Sequence, residues 1–264
     1  MATNDSVAKT LIVAVTLCVV CSVLVSTAAV ALKDRQEANK ALDMQKKILQ
    51  AAGLFDPDED VEGGVDFDAL FSKIETVVVG LATGDRVSDS AASALTPALQ
   101  REAARDRARS VEIPLERDFA SIKRREKLSL AYLLRENGEL AKVILPVYGK
   151  GLWGTMYGLL ALKGDLDTIS ALVFYEHVET PGLGGEVENP RWMAQWDGKR
   201  VRGDGDEIRI RVIKGSVDEV RPDAIHQVDG LSGATITSRG VTGLLRFWLG
   251  EDGFGPFLRK LKGA

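Results

Sequence analysis

The sequence predicts an α+β protein in which one transmembrane helix precedes a domain with an antiparallel sheet and packed helices. Three observations predict this class. Residues 10–32 are 23 consecutive uncharged residues near the start of the chain. Of the 26 glycines, 21 fall at or after Gly138. Between those glycines lie short runs of β-branched and aromatic residues, which are typical of strands joined by tight turns.

The uncharged segment is long enough to cross a bilayer. At about 1.5 Å per residue, a helix over 10–32 is about 34 Å long, against a hydrocarbon core of about 30 Å. The alternative is a cleaved signal peptide, because Ala29, Val30 and Ala31 resemble a cleavage site. The apolar core of a signal peptide usually holds about 7–15 residues, so a retained anchor is favoured. The flanking charges leave the orientation of the anchor undecided.

Composition divides the chain into five segments. They are a tail, the transmembrane helix, a juxtamembrane helix, a connecting α/β region and a terminal α+β domain, over residues 1–9, 10–32, 33–55, 56–135 and 136–264. The connecting region begins with seven acidic residues between Asp56 and Asp68, which predict an exposed, turn-rich stretch. Its arginine-rich part, 98–127, mixes both signs of charge, and this mixture favours a solvated helical face over a nucleic-acid surface.

Strands are predicted where β-branched and aromatic residues cluster between turn signals, at 76–81, 142–148, 153–162, 168–178 and 208–212. A short helix is predicted at 67–74. The last helix is predicted to begin near Thr235, because Val241, Leu244, Leu245 and Trp248 supply an apolar stripe at helical spacing.

The composition also limits the chemistry. Both cysteines, Cys18 and Cys21, lie in the uncharged segment, so the rest of the chain forms neither a disulfide nor a cysteine-liganded metal site. With only His177 and His226 besides, metal chemistry would have to rest mainly on carboxylates. We predict no metal site and no catalytic residue in this chain. The net charge of −4 gives no global basic excess, so nucleic acid is not an expected partner.

Three glycine-rich stretches are candidate binding elements: 149–158, 179–185 and 229–238. The first two allow the backbone to approach a ligand closely. The third precedes a predicted helix, whose free N–H groups and dipole favour an anion at Thr235. From the residues alone, each stretch could also have a purely structural role. The first would be a hairpin turn, the second a loop, and the third a helix cap formed by Ser232 or Thr235.

The third stretch carries a resemblance to a known family. Asp-x-x-Ser-Gly-Ala-Thr, at 229–235, resembles the flavinylation motif of the FMN-binding domain family, in which the final threonine carries FMN through a phosphoester bond. Further matches extend along almost the whole chain. With these matches the chain resembles a family of covalent FMN-binding proteins, the C subunits of the Na+-translocating NADH:quinone reductases. The matches lie at 25–30, within 33–40, and at 48–49, 52–54, 151–153, 179–184 and 196–199.

The resemblance implies that 136–264 is an FMN-binding domain and that Thr235 carries the covalent FMN. A separate flavin transferase would attach the cofactor. The other cofactor-binding residues implied are Ser232, Gly233, Ala234, Trp153, Glu179, Thr180, Gly182, Leu183 and Gly184. From the residues alone, the hydroxyls of Ser232, Thr237 and Ser238 remain alternative attachment points.

The resemblance further implies an electron-carrying subunit, inactive alone, in a hetero-oligomeric membrane complex of about six chains. The complex would pass electrons from NADH to ubiquinone and export Na+. The chain would cross the bacterial inner membrane once and place its FMN domain in the periplasm. Two alternatives are the homologous FMN subunit of the ion-pumping ferredoxin:NAD reductase complex and a membrane-anchored ligand-binding sensor. A serine hydrolase using Ser232 lacks the Gly-x-Ser-x-Gly elbow.

Overall fold

The computed structural model describes residues 6–57, 64–88 and 95–263. Contacts divide the chain into two units, Met1–Gln45 and Lys46–Ala264. Residues 1–5 of the predicted tail and residues 58–63 of the predicted acidic stretch lie outside the described residues. All of the sheet and the glycine-rich stretches therefore belong to the second unit.

Helix α1, Val7–Ala52, is a single element that covers the predicted transmembrane helix and the predicted juxtamembrane helix up to Ala52. Every residue from Val7 to Asp43 is exposed, although most of the first half is apolar. Among the described residues, α1 is the one helix long and apolar enough to cross a membrane. Its last turns differ, because they bury Ile48, Leu49, Ala51 and Ala52.

The C-terminus of α1 ends on a glycine in the left-handed region. Gly53 has φ of +71°, and the N–H of Leu54 donates to the carbonyl of Leu49 over 2.9 Å. The Nζ of Lys142 donates to the carbonyl of Ala52 over 2.7 Å. Glycine termination and a cation at the last carbonyls are the usual ways to satisfy a helix C-terminus.

Ten strands are present in the described residues. In chain order, β1 to β10 are Ile74–Gly80, Asp85–Val87, Ser110–Glu112, Arg124–Glu126, Leu128–Glu136, Glu139–Lys150, Thr155–Lys163, Ile169–Glu176, Arg211–Val212 and Gln227–Val228. Six of them form one antiparallel sheet in the order β2-β1-β5-β6-β7-β8, and the others form two short pairs, β3 with β4 and β9 with β10. The predicted α+β class with an antiparallel sheet is confirmed.

Strand β5 is the main difference from the sequence prediction. The predicted strands at 142–148 and 168–178 lie on β6 and β8, and the one predicted at 208–212 shortens to β9. β5, by contrast, falls in the region interpreted as a connection, yet it pairs with β1 on one side and β6 on the other. The sheet therefore continues across residue 136, and the structure does not divide the chain there.

Five further α-helices lie in the described part of the second unit: α2 Phe67–Phe71, α3 Pro97–Arg105, α4 Pro190–Met193, α5 Thr235–Trp248 and α6 Gly255–Lys262. α2 stops before the predicted residue 74 because Ile74 already begins β1. The arginine-rich part is helical only to Arg105 and then forms the β3–β4 pair. The predicted solvated face is wrong for Arg101, whose guanidinium lies 4.1 Å from the ring centroid of Tyr157.

Helix α5 packs on the sheet through its apolar stripe. Val241, Leu244, Leu245 and Trp248 are buried, and the indole N–H of Trp248 donates to the carbonyl of Tyr148 over 2.7 Å. Gly149 permits the contact, since a Cβ there would lie 3.0 Å from the Cβ of Leu244. This packing fixes where the N-terminus of α5 lies.

A buried carboxyl lies beneath α3. Glu126 is fully buried and accepts hydrogen bonds from the Nε2 of Gln100 and the hydroxyl of Tyr148, each over 2.6 Å. Burial raises the pKa of Glu126, and the hydrogen bonds from Tyr148 and Gln100 only partly oppose that effect.

We expect Glu126→Gln to remove a pH-dependent cost to stability. The pKa of Glu126 is raised in the folded state, so the wild-type protein should lose stability relative to the variant as the pH rises above about 4. The loss in the free energy of unfolding should reach up to about 1.4 kcal/mol per pH unit. Urea unfolding followed by tryptophan fluorescence between about pH 4 and 8 measures the difference. Glu136→Gln, at an exposed strand end, is the control. A pH-independent difference between wild type and Glu126→Gln would contradict the prediction.

Candidate functional site

One buried carboxylate joins the three glycine-rich stretches. Glu179 follows β8 and is 5% exposed. Its Oε1 accepts a hydrogen bond from the amide of Trp153 over 2.9 Å, and its Oε2 accepts one from the amide of Leu152 over 3.2 Å. Oε2 also accepts the hydroxyl of Thr237 over 2.5 Å. The first and third stretches are thus held to the second by a single side chain.

Glu179 is ionised in this position. Burial alone would raise its pKa, but hydrogen bonds from the hydroxyl of Thr237 and from the amides of Trp153 and Leu152 outweigh burial and lower the pKa below its ordinary range. Hydrogen bonds to a charged acceptor are stronger than neutral ones. The convergence of the three stretches therefore depends on a charged acceptor.

Two glycines make room for this carboxylate. A Cβ on Gly151 would lie 2.5 Å from the Oε1 of Glu179. A Cβ on Gly184 would lie 2.7 Å from both the Oε2 of Glu179 and the Oγ1 of Thr237. The glycine content predicted a close backbone approach at both stretches, and the group approached is the chain's own carboxylate.

The loop between β8 and α4 is held at both ends. The Nδ1 of His177 accepts the amide of Glu179 over 3.1 Å, and its Nε2 lies 3.3 Å from the Oε1 of Glu188. The carbonyl of Thr180 accepts the amides of Leu183 and Gly185. Gly182, at the turn, has φ of +75°. The predicted residues Thr180, Gly182 and Leu183 are exposed, so this turn presents its backbone to solvent.

Helix α5 begins at Thr235, as the sequence predicts, and no side chain caps it. The interpretation of Ser232 or Thr235 as a cap is therefore wrong. An uncapped helix start leaves the amides of its first turn free to bind an anion, and the helix dipole favours negative charge there. The amide of Ala234 donates to the carbonyl of Leu231 over 3.0 Å, so it is not among the free groups.

The four candidate hydroxyls occupy different environments. Thr237 is fully buried against Glu179. Ser238 is 5% exposed, and its Oγ accepts the amide of Leu231 over 3.1 Å. Ser232 and Thr235 are exposed. Only the last two are accessible to a modifying enzyme, and of these Thr235 is the first residue of α5.

The acidic residue of the motif holds a neighbouring loop. The Oδ1 of Asp229 accepts the amide of Val217 over 2.7 Å, and its carbonyl accepts the indole N–H of Trp192 over 2.9 Å. Gln195 accepts the amide of Asp229 in turn. Asp229 therefore fixes the approach of the chain to α5.

Five exposed apolar side chains lie in the three glycine-rich stretches or directly beside them in the chain, and we call them the apolar rim: Leu152, Trp153, Val178, Leu183 and Ile236. Trp153 is 67% exposed, although its amide is held by Glu179. A Cβ on Gly233 would lie 2.8 Å from the Cδ2 of Leu183, so the second and third stretches also touch at the rim. Sequence reasoning missed Val178 and Ile236, whose only signal was adjacency to Glu179 and Thr235.

The histidines do not support a hydrolase at Ser232. The Nδ1 of His177 is bonded to the amide of Glu179, and the Nδ1 of His226 lies 2.8 Å from the carbonyl of Arg200. Both Nδ1 atoms are thus engaged by the backbone, and no hydrogen bond joins either ring to Ser232 in the described part of the chain. The arrangement instead combines an anion-binding helix start with an apolar surface.

Comparison with known proteins gives a consistent result. Residues 151–250 match the FMN-binding domain family. The chain is 49% identical over 263 residues to the C subunit of the Na(+)-translocating NADH-quinone reductase of Pseudomonas aeruginosa, covering 99% of this chain and 98% of the relative. It is 46% identical over 262 residues to the C subunit of the Vibrio vulnificus enzyme, again covering 99% of this chain and 98% of the relative.

A solved structure shares the fold. The crystal structure of Shewanella oneidensis NqrC has a TM-score of 0.76 and 35% sequence identity, covering 86% of this chain and 100% of that one. Similarity in sequence and in structure extends well beyond the glycine-rich stretches. The chain therefore belongs to the family of C subunits of the Na(+)-translocating NADH-quinone reductases.

Proposed function

We propose that this chain is the electron-carrying C subunit of a Na+-translocating NADH:quinone reductase and that it carries FMN on Thr235 through a phosphoester bond. One observation carries the proposal: an exposed threonine at the uncapped start of α5 adjoins the apolar rim. The helix start suits a phosphate and the rim suits a flat aromatic ring. FMN has both parts in one molecule.

Different residues would bind the phosphate and the ring of FMN. The N–H groups of the first turn of α5 and of Gly233 would stabilise the phosphodiester charge. Trp153, Leu183 and Ile236 would pack against the isoalloxazine ring, and the exposed backbone from Thr180 to Leu183 would supply hydrogen bonds. Gly184 is buried, so it would contribute by making room for Glu179. Glu179 is a positioning residue, because both of its oxygens are engaged by the protein itself.

When bound, FMN supplies the redox chemistry, while the protein sets its position and environment. Contact with the apolar rim would exclude water from the part of the ring that it covers. The chain would then relay electrons from NADH toward ubiquinone as one member of a larger complex that exports Na+. The names of its full-length relatives favour this complex over the ferredoxin:NAD reductase and over a ligand-binding sensor.

Helix α1 supports the proposed location. We infer a single-pass subunit of the bacterial inner membrane, anchored by α1, with residues 46–264 in the periplasm. A covalent bond would retain the cofactor in a compartment that cannot draw readily on cytoplasmic FMN. A flavin transferase would attach the cofactor, and the exposure of Thr235 suits that step.

Thr235→Ala is expected to abolish covalent flavin. In cells that also produce a flavin transferase, the wild-type chain should show in-gel flavin fluorescence after denaturation and a mass increase of FMN minus one water on the Thr235 peptide. Ser232→Ala, which removes the other exposed hydroxyl, should retain both signals. Covalent flavin on Thr235→Ala, or none on the wild-type chain, would refute the attachment proposal.

Glu179→Gln should loosen the three glycine-rich stretches. The amide keeps one acceptor oxygen where three donors converge, so we expect a loss of about 1–3 kcal/mol in the free energy of unfolding and slower attachment of flavin. The pKa of Glu179 is lowered in the folded state. Its carboxylate therefore stabilises the fold fully at pH values above the ordinary pKa of a glutamate, and this stabilisation is lost as the pH falls through the lowered pKa.

Urea unfolding at about pH 7 and about pH 4 measures the loss, and timed in-gel fluorescence measures attachment. The exposed Glu116→Gln is the control for a change of charge alone. Equal stability of Glu179→Gln and Glu116→Gln at neutral pH would show that the carboxylate does not hold the site together.

A further inference from the structure

A second concave site lies on the same domain. It is a cleft of about 290 Å³ between α3 and the sheet, with walls from α3, β6, β7 and β8. Lys150 and Thr155, which pair at the ends of β6 and β7, both line it. The hairpin residues between them carry Trp153 and are held by Glu179. The cleft and the apolar rim therefore share one hairpin.

The lining of this cleft is strongly basic. Four cations line it, Arg101, Arg105, Arg124 and Lys150, and none of the described residues that line it is an aspartate or a glutamate. The whole chain has 38 acidic residues and a net charge of −4. A cleft with one sign of charge in an acidic protein attracts anions selectively.

Two of these cations are paired at the edge of the cleft. Arg101 lies 2.6 Å from Glu176, and Arg124 lies 3.3 Å from Glu112. The side chains of Glu176 and Glu112 are 56% and 82% exposed, so both pairs are open to solvent. Exposed pairs of this kind contribute little stability.

The other two cations are available. Arg105 and Lys150 are exposed, and neither forms an ion pair with another residue in the described part of the chain. The nearby Glu126 does not neutralise them from below, because it is fully buried and its oxygens accept from Gln100 and Tyr148. The cleft thus presents uncompensated positive charge.

Arg101 is held in place before any anion binds. Its guanidinium lies 4.1 Å from the ring centroid of Tyr157 and 5.3 Å from that of Tyr175. Its side chain is 27% exposed. Stacking on aromatic rings orders the fork of donors that binds carboxylates in a bidentate manner, so little side-chain entropy is lost on binding.

We propose that this cleft docks a carboxylate-bearing segment of a neighbouring subunit of the membrane complex. Arg105 and Lys150 would pair with the incoming carboxylates, and Arg101 would add a second contact. The proposal rests on the proposed function only in that the chain works within such a complex. Docking here would place the partner against the hairpin that bears Trp153, beside the proposed flavin site. Charge complementarity between the two surfaces would set the rate of association and the alignment of the partner.

The first test reverses the two available charges in the assembled complex. Arg105→Glu with Lys150→Glu should lower NADH:quinone activity at low ionic strength by about tenfold, or release this chain from the complex on purification. Arg107→Glu with Lys262→Glu makes the same change in net charge at exposed positions outside the cleft and should stay within about twofold of wild type. Equal effects of the two double variants would overturn the proposal.

The second test identifies the occupant. A zero-length carbodiimide cross-linker, applied to the complex in zwitterionic lipid, should join the amine of Lys150 to an aspartate or glutamate of another subunit, as mapped by mass spectrometry. No cross-link from Lys150 to another chain would overturn the proposal. So would a charge-reversal defect that appears only with anionic phospholipid, because the cleft would then bind the membrane.

Covalent FMN on Thr235 is measured in the same samples. Full flavin in the charge-reversal variant, together with loss of activity, supports docking, because attachment is then intact. Absence of flavin from wild type would refute the flavin proposal and leave the cross-link as an independent result. The two proposals therefore fail separately.

Discussion

The carboxylate of Glu179 is the interaction on which the site depends. Backbone amides have no partner in a tight glycine turn unless something supplies an acceptor, and here one ionised side chain supplies it to the turn at Leu152 and Trp153. Its third bond, to Thr237, reaches a residue 58 positions later in the chain. The charge therefore sets the distance between the hairpin and the start of α5, and the glycines at 151 and 184 are consequences of that closeness.

The sheet provides the rigid frame for this interaction. β6 and β7 pair over nine residues and end together at the hairpin, and β8 delivers Glu179 from the neighbouring position. α5 packs on β6, and the hydrogen bond from the indole of Trp248 to the carbonyl of Tyr148 fixes its position along that strand. Strand register and helix packing thus place the three stretches within reach of one side chain, and loops alone could not hold that geometry.

Local patterns made some of this predictable. The long apolar part of α1 follows from a run of uncharged residues, and the start of α5 at Thr235 follows from small residues before an apolar stripe. β5 was missed because it is buried on both faces, so its apolar run lacks the alternation that marks a half-buried strand. The role of Glu179 and the basic cleft were also beyond sequence reasoning, because their parts are brought together only by pairing between distant segments.

The apolar rim has a consequence for any chain in which it is uncovered. Five large apolar side chains facing water make a surface that favours self-association and recognition by chaperones. A bound isoalloxazine ring would cover that surface, so binding of FMN would also reduce the tendency of the chain to self-associate. If FMN is attached as proposed, chains without it would be the ones that aggregate or are degraded, and the site would then act as a checkpoint for maturation.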